Sequence, residues 1–447
     1  MIEKQNIQQI IRKVLDFSTA DETEVILDFQ TEALTRFANN AIHQNVAEES
    51  HSLQIRAIIG HKTGTATTNL FDDESLKRAA GTAVSIAQLQ QDDPELLPLP
   101  EHQNYAELSE PYIQETLDFS PMERAERVRR IVEACDNQGL SAAGAFSTGG
   151  GTFAIANSKG VFACQSSSNA ALSLTVQASD SSGWVEGVDK DVREIDVPGL
   201  TDIAIEKAVA SQNPIDAEPG EYTVILEPAA VSTLIEFMSV LGFNAQRYQE
   251  GRSFLTGKLG TQIVGNNITL TDNAFDPRLN GFAFDFEGMP KQAVTLIEQG
   301  VASHLVHSRK TGQKADMQTT GHALPLSSGG GALPFHLILQ GGNSSIEEMI
   351  ASTDKGIYVT HFHYTNVVNP MEAIITGMTR DGTFLIENGK IAHGIKNLRF
   401  TESIVKALSH VELLSPTQTK CCGRALGCML VPAMKISNFT FSSGTKF

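Results

Sequence analysis

The chain has 447 residues, 41% hydrophobic and 19% charged, an ordinary globular composition at about three times the ~150-residue length of one domain, so two or three domains are expected. No stretch approaches the roughly 20 apolar residues that cross a bilayer, and the opening Met1-Ile-Glu-Lys-Gln-Asn6 has no secretory pattern, which excludes an integral membrane protein and makes the cytoplasm the expected compartment. A net charge of −18 disfavours direct nucleic-acid or anionic-membrane binding, and five cysteines are too few for a disulfide framework, so reduced thiols are expected.

Ile7, Ile10, Ile11, Val14 and Leu15 recur at helical spacing and predict an opening amphipathic helix. Candidate strands Glu24–Phe29 and Leu53–Ile59 follow, then a helix from about Glu74 to Gln90 with Leu76, Ala79, Ala80 and Val84 on one face. Gln91–Glu101, with Pro94, Pro98 and Pro100 among acidic residues, reads as a linker. Beyond it Ser120 is a candidate cap before Pro121, and Ala125, Val128, Ile131, Val132 and Cys135 continue one helical face. Strand-like runs come next at Thr152–Ala156, Val161–Cys164 and Ala171–Gln177, then a helix over Asp202–Ala210 that ends before Asn213-Pro214 and Pro219-Gly220.

From Glu221 onward short β-rich segments dominate. Leu296-Ile-Glu-Gln-Gly-Val-Ala-Ser-His304 and Leu385-Ile-Glu-Asn-Gly-Lys-Ile-Ala-His393 are alike and each place a two-residue turn between strand-like arms, which predicts two hairpins, independent by preference or related by an internal duplication. The expected architecture is α+β: an N-terminal α/β domain over residues 1–95, a middle α/β domain over 105–215 and a larger β-rich C-terminal domain over 220–447.

Most candidate chemistry fails on inspection. In Gly251-Arg-Ser-Phe-Leu-Thr-Gly257-Lys258-Leu259 five residues rather than four separate the glycines, and Leu259 stands where a phosphate-binding loop needs a hydroxyl. Gly149–Gly151 and Gly329–Gly331 lack the strand-to-helix context of a dinucleotide site and read as flexible loops. No Gly-x-Ser-x-Gly elbow is present, and Asp285-x-Glu287 could be paired carboxylates facing one way in a strand, though a solvated edge before the Gly288-Met-Pro290 turn is the favoured reading. His361-x-His363 would project two imidazoles to one strand face, His304 and His307 form another close pair, and His322, Cys421, Cys422 or Cys428 could add a third metal ligand. No His-Glu dipeptide occurs, so a helical zinc-protease motif is absent.

Several segments together resemble the TldD/PmbA family. They are Asp285-Phe-Glu-Gly-Met-Pro-Lys-Gln292, Leu296-Ile-Glu-x-Gly300, Tyr364-Thr-Asn-Val-Val-Asn-Pro370, Gly377-Met-Thr-Arg-Asp-Gly-Thr-Phe384, Glu387-Asn-Gly389, Lys396-Asn-Leu-Arg-Phe400, Val431-Pro-Ala-Met-Lys435 and Phe439-Thr-Phe-Ser-Ser-Gly444. Arg36-Phe-Ala-Asn-Asn40, Thr63-Gly-Thr-Ala-Thr-Thr-Asn69 and Ile155-Ala-Asn-Ser-Lys-Gly160 extend the likeness over nearly the whole chain. The resemblance implies a subunit of a zinc metallopeptidase that cleaves unfolded peptides, a family also called modulators of DNA gyrase.

In the family's catalytic subunits a His-Glu-x-x-x-His helix supplies two zinc ligands and a base, and a C-terminal Cys-Gly supplies a third ligand. The matching helix here is Ala230–Leu241, with Glu236, Phe237 and Leu241 at the places of His, Glu and His, while Cys422-Gly423 resembles the Cys-Gly segment. The resemblance therefore implies the non-catalytic PmbA/TldE type: no catalytic, cofactor-binding or metal residues of its own, zinc only in a TldD-like metal-bearing homologue as partner, and unfolded peptide as substrate. A homodimer is the other assembly considered. Two alternatives stay open, a divergent metallohydrolase built on His361 and His363, and a non-enzymatic peptide-binding scaffold.

Overall fold

A computed structural model describes residues 3–108, 112–423 and 427–445; Met1 and Ile2, where the opening segment was read for a secretory signal, lie outside the described residues. The fold is α+β. Helix α1 (Lys4–Phe17) buries Ile7, Ile11 and Val14, as its spacing requires. The two short predicted strands are the hydrophobic ends of much longer ones, β1 (Glu22–Ala38) and β2 (Ala41–Ile59). Asn39 and Asn40 join them, both at positive φ, a conformation that asparagine tolerates better than most side chains. After β3 (Lys62–Thr68), α2 (Asp73–Leu89) begins where Asp72 accepts from the Ser75 N–H, and it lays Leu76, Ala80 and Ala83 on the sheet.

Residues 90–108 form an ordered strap. The Leu99 N–H donates to Glu22 at 2.6 Å, Glu95 pairs with Lys310 and Lys314 at 2.9 and 2.8 Å, and the Tyr105 hydroxyl donates to the Gly288 carbonyl at 2.8 Å. The strap thus ties the first part of the chain to the last.

A short turn of helix α3 (Gln114–Leu117) precedes α4 (Pro121–Asp136), which opens on a capping box between Ser120 and Glu123 and buries Val128, Ile131 and Cys135. Strands β4 (Ser141–Asn157), β5 (Phe162–Gln177) and β6 (Ser182–Asp189) follow, then α5 (Val197–Ala210), which starts a full turn before its predicted onset. The strand order is β3-β2-β1-β4-β5-β6, all antiparallel, so the segments on either side of the strap share one sheet. Gly149–Gly151, expected as a loop, lie inside β4. A Cβ on Gly150 would stand 2.6 Å from the Leu117 side chain, so the glycines serve close packing rather than flexibility.

The C-terminal part opens with β7 (Gly220–Leu226), α6 (Pro228–Gly242) and α7 (Ala245–Gln249). Then come β8 (Leu270–Asp272), the hairpin of β9 (Val294–Glu298) and β10 (Val301–Ala302), α8 (Arg309–Lys314), β11 (Leu337–Leu339) and α9 (Ile346–Ala351). Long strands β12 (Lys355–Asn369) and β13 (Ile374–Glu387), with β14 (Lys390–Gly394), β15 (Leu398–Ser403), α10 (Ile404–Ser409), β16 (Val411–Cys422) and β17 (Cys428–Gly444), complete it. Strands β7, β12, β13, β15 and β17 pair in a closed ring, and the rings of Phe362, Phe400, Phe439 and Phe441 pack on one another in its core. Both predicted hairpins are present. Gln299-Gly300 and Asn388-Gly389 sit at positive φ, as two-residue hairpin turns demand. No helix among the described residues is long and apolar enough to cross a membrane.

Candidate functional site

Helix α6 carries Val231, Leu234, Ile235 and Met238 on the face buried in the main core. Its other face, Ala229, Ser232, Thr233, Glu236 and Phe237, lines a cavity of about 270 Å³. The opposite walls are Trp184 and Glu186 from β6, His361, Phe362, His363 and Thr365 from β12, and Cys422 with Gly423 at the end of β16. The site therefore lies where the N-terminal sheet meets the C-terminal domain.

Glu186 is the unusual acid of this cavity. Burial pushes its carboxyl up to about 7, against the opposing effect of a hydrogen bond from the Cys422 N–H. His361 stacks on Trp184 with ring centroids 4.3 Å apart, and its Nε2 donates to Asp381 at 3.1 Å. Asp381 also accepts from the Ser182 hydroxyl at 2.7 Å. Burial opposes the Asp381 charge, but the hydrogen bonds from His361 and Ser182 outweigh it and hold the carboxyl below its usual range. The Cys421 thiol, facing away from Cys422 along the strand, is pushed up to about 12 by burial and by the nearby Glu186.

Of the three helix positions singled out in the sequence, Glu236 and Phe237 line the cavity and Leu241 does not; Leu241 is buried in the main core. In α6 the two positions, about 140° apart around the helix at 3.6 residues per turn, face different surroundings, Glu236 the cavity and Leu241 the core. Cys422 faces Glu236 across the cavity, but its sulfur is bonded to Cys428, the residue paired with it across the β16–β17 hairpin. That disulfide corrects the expectation that all five thiols are reduced; Cys135, Cys164 and Cys421 are free.

The cavity wall carries the imidazoles of His361 and His363 and the carboxylates of Glu186 and Glu236, but together they are not arranged as a zinc site. The Ser232 and Thr233 hydroxyls both donate to the Ala229 carbonyl, His361 is held by Asp381, and Cys422 is a disulfide rather than a thiolate. Among the described residues no three His, Cys, Asp or Glu side chains are grouped to hold a metal.

The other candidates lie elsewhere. His322 is wholly buried, with Nε2 donating to Asp272 at 3.0 Å, while Asp272 also accepts the N–H groups of Phe335 and His336. His304 bonds the Thr295 carbonyl, and His307 is buried near Thr320. Asp285 is no solvated edge: 3% exposed, it accepts the N–H groups of Glu287, Met289 and Ala323 and so builds the turn that follows it. Burial raises Asp285 to about 6, and burial together with the Asp285 charge raises Glu287 to about 7. Sequence reasoning passed over Trp184, Glu186 and Asp381. Asp381 does lie inside the quoted Gly377–Phe384 segment, and Trp184 is the chain's only tryptophan, but neither signal names a neighbour.

Comparison with known proteins gives the same picture along the chain. Models described as PmbA/TldA metallopeptidase domain 1, central domain and C-terminal domain match residues 23–87, 107–212 and 219–443. An uncharacterized protein of Methanocaldococcus jannaschii is 24% identical over 83% of this chain and 86% of its own length. The Metalloprotease PmbA homolog of Haemophilus influenzae is 21% identical over 86% of this chain and 85% of its own. The crystal structure of TldE from Thermococcus kodakarensis shares the fold, with a TM-score of 0.89 at 22% identity over 98% of this chain and all of that one.

Proposed function

The chain belongs to the PmbA/TldA metallopeptidase family, and we propose that within it this protein is the non-catalytic, PmbA/TldE-type subunit of a heteromeric zinc metallopeptidase acting on unfolded peptides. One observation carries the reading. The cavity face of α6 presents Ser232, Thr233, Glu236 and Phe237 and no histidine, and the cysteine opposite is closed into a disulfide, so at the place where zinc chemistry would sit the helix offers one carboxylate and β16 offers no thiolate. Zinc, with the water it activates, belongs to a TldD-like partner that carries the His-Glu-x-x-x-His helix. The contribution of this chain is walls: long strands whose backbone groups hold an extended peptide with little regard to its sequence.

The experiment is reconstitution. The chain purified alone is expected to contain no stoichiometric zinc by elemental analysis and to leave an unfolded peptide intact, while addition of a zinc-bearing relative yields cleavage that neither protein gives separately. Zinc-dependent cleavage by this chain alone would end the proposal.

A further inference from the structure

Strand β2 pairs with β1 along its whole length but with β3 only through Leu53–Ile59. The stretch before that has a neighbour on one side only, and every residue from Ala41 to His51 is exposed. Arg36 pairs with Gln44 and Phe37 with Ile42, so the ladder's single bulge falls at His43 near the hairpin tip and leaves Gln44–Ser52 regular. Along such an edge alternate residues turn N–H and C=O outward, a row open to another strand. Edges of this length are commonly blunted by lysine or proline, and Gln44–Ser52 contains neither.

The charges say what kind of strand fits. Glu48 stands directly opposite Glu32 on β1, both exposed, and neither is in an ion pair among the described residues. Like charges opposite one another destabilise a ladder. Glu49 follows on the other face, opposite Thr31. A second copy of the chain does not suit this edge: a two-fold antiparallel pairing over the whole of Gln44–Ser52 is centred on Glu48 and sets Glu48 against its own copy. A strand with two consecutive basic residues does suit it, since neighbouring side chains point to opposite faces and would meet Glu48 on one and Glu49 on the other.

We propose that Gln44–Ser52 of β2 is a strand-addition site for an extended peptide segment carrying consecutive lysine or arginine residues, placed opposite Glu48 and Glu49. The inference rests on the reading above for the class of ligand, an unfolded peptide, and adds where one such segment docks and the charge it must carry. Backbone hydrogen bonds supply the attachment, and the acidic pair selects among extended chains.

The test uses the full-length chain, free of zinc and partner, and the fluorescence anisotropy of a labelled nine-residue threonine peptide with a central Lys-Lys. Binding is expected for this peptide, but not for its Glu-Glu counterpart or for a version N-methylated at alternate amides. Glu48→Gln with Glu49→Gln is expected to weaken binding about tenfold while leaving the melting curve in place. Equal binding of the N-methylated peptide, or unchanged affinity in the double variant, overturns the site. So does a stable dimer of the chain that excludes the peptide, because the edge would then be closed by a second copy. Loss of peptide binding condemns the site alone, whereas failed reconstitution of cleavage condemns the subunit reading.

Discussion

The carboxylate of Glu236 packs against Gly423, where an added Cβ would stand 2.8 Å from its Cδ. Helix α6 and the end of β16 thus meet through a carboxylate and a backbone, and under the proposed subunit reading this is the place where the catalytic relative would hold its metal. Glu236→His is accordingly expected to leave the protein without stoichiometric zinc, since the sulfur across the cavity stays bonded to Cys428 and Leu241 stays in the core. Elemental analysis of the variant after zinc loading and desalting checks this. One bound zinc per chain would contradict it.

Lys207 on α5 and Glu227 at the start of α6 form an ion pair at 2.7 Å, their side chains 12% and 15% exposed, and the Tyr358 hydroxyl donates to the same carboxylate at 2.7 Å. Removing one member of a mostly buried pair strands the other, so Lys207→Ala is expected to destabilise the fold by about 3 kcal/mol. Lys207→Met combined with Glu227→Gln should cost less than the single change. Denaturant titration of the three proteins gives the comparison.

The raised carboxyls lower stability as pH rises toward neutrality, while the buried imidazoles of His307, His322 and His336, whose values burial lowers, act the other way. Glu186, at about 7 when folded, keeps its proton in the native state over a range where the unfolded chain has lost it. Its contribution is therefore full below about pH 4.5 and is lost as pH rises through 7; Asp285 and Glu287, raised to about 6 and 7, act in the same direction. Glu186→Gln should therefore raise stability at pH 7 relative to pH 5, compared with wild type, by roughly 3 kcal/mol at most. Melting temperatures across that interval, wild type against variant, decide it.

Burial pushes the Cys135 and Cys421 thiols to about 11 and 12, so alkylation of the native protein near neutral pH should leave both unmodified. Peptide mapping without reductant should show one Cys422–Cys428 linkage, and denaturation should expose three alkylatable thiols. Rapid native labelling of Cys421 would contradict its placement beside Glu186.

Local signals read well because they depend on neighbours in the chain. The spacing of Ile7, Ile11 and Val14, the Ser120 cap, the Gln299-Gly300 and Asn388-Gly389 turns and the apolar face of α6 all follow from backbone geometry and short-range packing. The pattern of predicted elements marked the α+β class, and the order of family-like segments marked the family, with the α6 helix and the Cys422-Gly423 segment inside it.

Three-dimensional pairing decided the rest. Gly149–Gly151 looked like a loop until β1 and β5 flanked them, and Asp285 looked solvated until the Ala323 N–H closed over it. Leu241 faced the core rather than the cavity, Cys422 was oxidised because β16 and β17 brought Cys428 opposite, and Glu186 gained its altered acidity from burial beside a residue 236 positions later. By itself the sequence determined which segments are helix or turn and which family the chain resembles. Only the tertiary structure decided which side chains share the cavity, because those meetings join residues far apart in the chain, and no periodicity records them.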